Sequence, residues 1–278
     1  MTSVINLDVT TARTVERRDE VFAETITTKI WREQPSTDNP YIAQSHLCHG
    51  YELSELMQKR SFTDVLYLLF RGELPSKDES SLLEKLLIAF INPGPRHPAT
   101  RAAMNAGVGK TDASHILPIG LILLGGDRYG GGEVEVAMRF VRKHCRRPSL
   151  TYLQEFSLGH KPSTVDKTLI PGFGQAYFGI DIEALQLAEN LLESTELELP
   201  TLRWSLDLSE GLQGEGMGIL RTGVAAAVLS DLGFQPRVGA GFYQLMGAPG
   251  ILAHGLEYSN KPMTAMPFVK DSDYVIED

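Results

Sequence analysis

Apolar positions recur with a helical period along most of the chain. Residues 61–71, SFTDVLYLLFR, put Phe62, Val65, Leu66, Leu68 and Leu69 on one broad face. Ser61 can cap the start, because its hydroxyl accepts from a first-turn N–H. Gly72 can end the helix, because glycine tolerates positive φ. Ser76 and Glu79 have the S-x-x-E spacing of a capping box ahead of Leu82-Leu83 and Leu86-Leu87, and Pro75 separates the two helices. Further helices are predicted over about 112–124, 133–145, 181–192, 223–232, 242–245 and 251–258. Ala184, Leu185, Ala188, Leu191 and Leu192 share one stripe, and the Ala- and Val-rich 223–232 reads as fully buried. Strand alternation is confined to 4–9 and 25–31. The fold class predicted is all-α, or nearly so.

Glycine and proline cluster at 93–95, 125–132, 171–174, 211–218 and 247–250. Each cluster reads as a turn near a helix end. Several together could also build a ligand site from helix N-termini and close backbone approach. The tail, 261–278, reads as an extended arm, free or laid on a partner subunit.

Composition narrows the function classes. The 278 residues suit one large domain or two intimate ones. The balance of 26 basic to 35 acidic residues, a net charge of -9, argues against non-specific nucleic-acid binding. Two cysteines, Cys48 and Cys145, exclude a disulfide scaffold and suggest a reducing cytoplasm. The first 18 residues have no apolar core of a signal peptide. No run reaches the ~20 apolar residues of a membrane span. The richest stretch, 116–124, is closed by Gly125-Gly126 and reads as a buried core helix.

Three motifs tempt and fail. Gly107-Val108-Gly109-Lys110-Thr111 lacks the upstream glycine of a P-loop, since Met104 stands there, and helix rather than strand precedes it. His46, Cys48 and His49 are too tightly spaced for a zinc knuckle, and His144-Cys145 is an isolated pair, so no metal is expected. No G-x-S-x-G elbow nominates a serine nucleophile.

Four segments in order carry a family resemblance. The first runs from Gly50-Tyr51-Glu52-Leu53 through Ser61-Phe62 to Phe70-Arg71-Gly72-Glu73-Leu74-Pro75. The second, Gly126-Asp127-Arg128-Tyr129-Gly130-Gly131, is similar to G-D-R-F-G-G. The third, Pro171-Gly172-Phe173-Gly174, resembles a P-G-F-G-H loop without its histidine. The fourth runs from Ala225-Ala226-Ala227 through Asp231-Leu232-Gly233-Phe234 to Ala248-Pro249-Gly250 and Ala253-His254-Gly255-Leu256-Glu257. Together they resemble the citrate synthase superfamily, in particular its short citryl-CoA lyase branch and the matching C-terminal domain of ATP-citrate lyase.

The resemblance implies an almost all-helical homodimer, with a large domain (1–130 and 223–278) and an inserted small helical domain (131–222). It implies a coenzyme A thioester as substrate in the cleft, with Pro171, Gly172, Phe173 and Gly174 on the coenzyme A. The family reaction makes or breaks a C–C bond, using an aspartate and two histidines. Here Tyr129 stands at the first histidine, Gln175 at the second and Thr222 at the aspartate. The arginine expected before Ala248 is also absent. A threonine hydroxyl is too weak a base to replace a carboxylate, and a glutamine amide cannot carry a proton.

Tyr129, Gln175 and Thr222 are accordingly the candidate catalytic residues, as hydrogen-bond donors. Asp127, Arg128, His97 and His49 are candidate substrate contacts, and His254 and Glu215 read as structural and solvated. The expected function is a diverged C–C bond-forming or -cleaving enzyme, or acyl transferase, acting on an acyl-CoA or carboxylate. The alternative is a non-catalytic homologue binding CoA esters or carboxylates, as a pseudoenzyme or regulatory subunit. A structural dimer without ligand is the third reading.

Overall fold

The computed structural model describes residues 22–159 and 170–277. The strand expected at 4–9 lies outside them. A small antiparallel sheet, β1 (Trp31–Pro35), β2 (Ala43–Cys48) and β3 (Tyr51–Glu52), opens the described chain. The strand expected at 25–31 is realised only at Trp31. Strand begins there because Trp31 is the first residue opposite β2, where it pairs with Cys48. Residues 25–30 have no partner strand and are exposed. Cys48 is buried with Leu56 and Leu68 in a small separate core.

Helices α1 (Leu53–Lys59), α2 (Phe62–Arg71) and α3 (Lys77–Ala89) follow. Ser61 and Asp64 form a reciprocal capping box on α2, and Gly72 closes it in the left-handed region at φ 78°. Ser76 and Glu79 form the second box, on α3. The apolar face of α2 is narrower than the sequence suggests. Phe62 is 80% exposed, because the buried side runs through Thr63, Tyr67 and Leu68.

Next come α4 (Pro98–Val108), α5 (Ala113–Leu124), α6 (Gly131–His144) and α7 (Ser149–Gly159). α4 ends within the 107–109 glycine pair, at Gly109, and Gly107 has a different use. It lies inside the helix against the Gly255 backbone, where a side chain has no room, and Gly109 is the C-cap. Nor is 116–124 a core helix. Ile116, Gly120 and Leu124 are buried on one face, while Ile122 and Leu123 are exposed on the other.

The remaining elements are β4 (Phe173–Gly174), α8 (Ile182–Glu193), α9 (Pro200–Leu212), β5 (Gly218–Ile219), α10 (Arg221–Asp231) and α11 (Pro236–Ser259). β4 and β5 pair antiparallel, Phe173 with Ile219 and Gly174 with Gly218. The sequence predicted two helices parted by a turn at 247–250. The structure has one, because those glycines serve contact rather than reversal. The Gly250 N–H donates to the Ile91 carbonyl at 2.9 Å, and a methyl group there would lie 2.6 Å from Asn92.

α10 is the centre of the fold, packed against α6, α8, α9 and α11, with every residue from Thr222 to Leu229 buried. Burying Val224, Val228 and Leu229 contributes about 1.5–3 kcal/mol each as an upper estimate. One buried cluster runs from Tyr67 to Ile251, so the ends of α6 and α10 are held by the same packing. Those two N-termini carry the site.

Candidate active site

The α10 N-terminus opens on a cavity of about 670 Å³. Its walls are the 93–97 loop, Tyr129 in the α5–α6 turn, residues 176–183, Leu220 to Thr222, and Tyr243 from α11. Of the candidate catalytic residues, Tyr129 and Thr222 line it, as does His97. Gln175 does not, although its neighbour Ala176 does. Its side-chain amide nitrogen lies toward Gly216, and its backbone carbonyl accepts from the Tyr129 hydroxyl at 3.5 Å.

The Pro171–Gly174 segment lies behind the wall. Phe173 is a core side chain, and Gly172 is pressed on α10, where a methyl group would sit 2.8 Å from the Gly223 Cα. The Leu220 N–H donates to the Gly172 carbonyl at 2.9 Å, so this segment fixes the α10 entry. Asp127 and Arg128 are exposed on the turn before Tyr129 and are not among the lining residues. His49 is remote, in the β2–β3 turn, with Nε2 3.3 Å from the Leu69 carbonyl. His254 approaches the Asn92 amide at 3.2 Å, and Glu215 is exposed. Among the described residues no group of three or more His, Cys, Asp or Glu could hold a metal ion.

Tyr129 is strained, at φ 56°, as is Tyr177 across the cavity wall, at φ 49°. A non-glycine residue there costs about 1–3 kcal/mol and persists only where its surroundings over-determine it. Two side chains do so. The Glu133 carboxylate accepts the Tyr129 N–H at 2.7 Å, and His97 Nε2 meets the Tyr129 carbonyl at 3.1 Å. His97 Nδ1 also accepts the Ala99 N–H, capping α4, which leaves its proton on Nε2. Both ring nitrogens are therefore engaged. Burial holds the imidazole pKa below its ordinary value, opposed by the bond to the Tyr129 carbonyl. His97 is a neutral structural clamp in this arrangement.

Sequence reading missed Glu133 and Arg221. Glu133, in the first turn of α6, is the one buried charged residue among the described residues. Burial pushes its carboxyl pKa up, against contacts from Tyr129, Thr222, Gly172 and Arg128 that favour the charge. Arg221, at the first position of α10, donates to Glu183 and to the Ala89 carbonyl, both at 2.8 Å, and lies over the Phe90 ring. It brings a guanidinium to a cavity from which the expected arginine is missing. Tyr177 stacks parallel to Tyr129 at 6.2 Å between centroids, and Tyr177 and Phe178 both have positive φ at the tip of a tight turn.

No protein-family model matches the sequence, and no curated protein sequence matches it. Solved structures do. Citryl-CoA lyase from Hydrogenobacter thermophilus superposes with a TM-score of 0.74 at 26% identity, over 91% of this chain and 95% of that one. ATP citrate lyase from Methanothrix soehngenii, in complex with citrate and coenzyme A, matches at TM-score 0.67 and 16% identity. That match covers all of this chain but 48% of the larger one. Citrate synthase from Thermoplasma acidophilum, in ternary complex with carboxymethyl coenzyme A and oxaloacetate, matches at 0.58 and 18%, over 78% of this chain and 57% of that one. The last two matches show the fold alone, while the match to citryl-CoA lyase, with the helical fold, supports a member of the citrate synthase superfamily. Within it, the chain is citryl-CoA lyase-like.

Proposed function

We propose that this protein binds a coenzyme A thioester in the cavity at the α10 N-terminus and makes or breaks a C–C bond in its acyl part. The observation that carries this reading is the cavity itself. Its size is that of a small-molecule site. Tyr129 and Thr222, the expected catalytic positions, line its wall, which supports the reading. Tyr129 supplies a fixed phenol that can stabilise a developing oxyanion without giving up its proton. Burial keeps that phenol protonated by raising its pKa. Arg221 and Arg96 supply positive charge for a carboxylate on the ligand, Arg221 by exchanging its exposed partner Glu183. The Pro171–Gly174 segment acts on the ligand through the α10 entry that it fixes.

The same reading includes a homodimer with a large domain, 1–130 and 223–278, and a small one, 131–222. The exposed Ile122 and Leu123 of α5 and the exposed tail residues Phe268, Val275 and Ile276 suit burial in a second copy. The test is a thermal-shift panel of CoA esters and di- and tricarboxylates on the full chain. A shift confined to CoA esters is expected. No shift with any of them contradicts the reading, and a shift with carboxylates alone leaves a carboxylate-binding protein.

A further inference from the structure

Three segments meet at one group, the Glu133 carboxylate: the turn of Tyr129, the loop of Gly172 and the α10 entry at Thr222. It accepts the Tyr129 backbone N–H, and it contacts the Gly172 backbone and the Thr222 side chain. The Thr222 hydroxyl faces it from a residue that lines the cavity, and that hydroxyl is buried without a completed hydrogen bond. An orphan buried hydroxyl is costly unless it has a use. A buried carboxylate is likewise costly, and the Tyr129 N–H offsets only part of that cost. Each explains the other if they work as a pair.

We propose that Glu133 and Thr222 form a proton relay serving the cavity, with Thr222 toward the ligand and Glu133 storing the proton. The proposal rests on the reading of the ligand as a CoA thioester. In cleavage of a β-hydroxyacyl thioester, the Thr222 hydroxyl turns from its buried position toward the ligand, the ligand's O–H bond breaks and its proton passes to Thr222 Oγ1. Thr222 gives its own proton to Glu133 in the same step. The freed O–H pair forms the new carbonyl. The Cα–Cβ pair becomes the enolate of the thioester, whose oxygen the Tyr129 phenol stabilises. Glu133 then returns the proton through Thr222 to the α-carbon, so no other acid or base is consumed. A threonine alone is too weak a base, but with a carboxylate behind it the hydroxyl only passes the proton on.

Glu133 is faced by Arg128 from its own turn, by Tyr129, by Tyr243 from α11 and by Thr222 from α10. Arg128 favours the charged form, burial the neutral one, and burial is the larger. By microscopic reversibility the relay also exchanges the α-protons of a bound thioester. The experiment incubates the full chain with acetyl-CoA and with propionyl-CoA in deuterated water. Exchange is followed by NMR against pH, and affinity by calorimetry.

Wild type is expected to exchange, with an inflection above the ordinary carboxyl pKa of about 4.3. Glu133→Gln keeps an acceptor for the Tyr129 N–H, and Thr222→Val keeps the shape of the threonine. Both are expected to lose about 100-fold or more in exchange, read at saturating thioester so that a change in affinity does not enter. Exchange within threefold of wild type in both variants overturns the relay and leaves the binding reading intact. So does a wild type that binds without exchanging. A wild type that binds neither ester overturns the binding reading, and the relay with it. If circular dichroism shows Glu133→Gln unfolded, Thr222→Val decides alone.

Discussion

Tyr129 shows how a single residue's conformation is fixed from outside. Its left-handed backbone is held at the N–H by Glu133 and at the carbonyl by His97. His97→Ala removes the second hold and also the acceptor for the Ala99 N–H. A loss of about 1–2 kcal/mol is expected in chemical denaturation, with His97→Asn recovering part of it through the cap. The pH dependence has a definite sign. Burial depresses the His97 pKa in the fold, so below about pH 6.5 the unfolded chain binds the extra proton and stability falls. That slope should flatten in His97→Ala. Glu133 acts oppositely. Its pKa is raised in the fold, so its destabilising cost is present above the folded value and is relieved as pH falls through it. Glu133→Gln should be at least as stable as wild type at pH 7 and should lose that advantage in acid. Thr222 and Tyr129 could be singled out because their neighbours carry a recognisable pattern, and both line the cavity. Glu133 was not, because an acid in the first turn of a helix ordinarily faces water and favours the helix dipole. Only tertiary packing buries it.

At the scale of elements, helices were legible where period and caps agree. Ser61, Gly72 and Ser76 mark real boundaries for that reason. Glycine was the weak signal. The same residue that frees a turn also permits close contact, as at Gly107 and Gly250 inside α4 and α11. The distinction yields a paired prediction. Gly223 packs so closely on the Gly172 backbone that Gly223→Ala must displace the loop before β4. A cost of about 1–3 kcal/mol is expected in thermal or denaturant melts, with weakened CoA-ester binding. Gly179 has open space around its would-be side chain and no positive φ, so Gly179→Ala should stay within about 0.5 kcal/mol of wild type.

For the whole molecule, the helical class and the superfamily could be read from four separated segments in order. The cavity could not, because its walls come from stretches more than a hundred residues apart in the chain. Arg96 and Tyr243 meet there only after α4, α6 and α11 pack. The net charge of -9 does not by itself exclude an anionic ligand, because Arg96 and Arg221 line the cavity and offset Asp181 and Glu183 beside them. Light scattering is expected to give twice the mass of the chain, and a mass of one chain contradicts the proposed dimer. The central claim is that the cavity takes a CoA thioester, and calorimetric titration of the full chain with acetyl-CoA tests it most directly. Saturable binding is predicted, one site per chain, weakened about tenfold or more by Ile182→Trp, which narrows the mouth while its exposed position spares the fold. No binding heat at millimolar acetyl-CoA, or binding unchanged by Ile182→Trp, would contradict it.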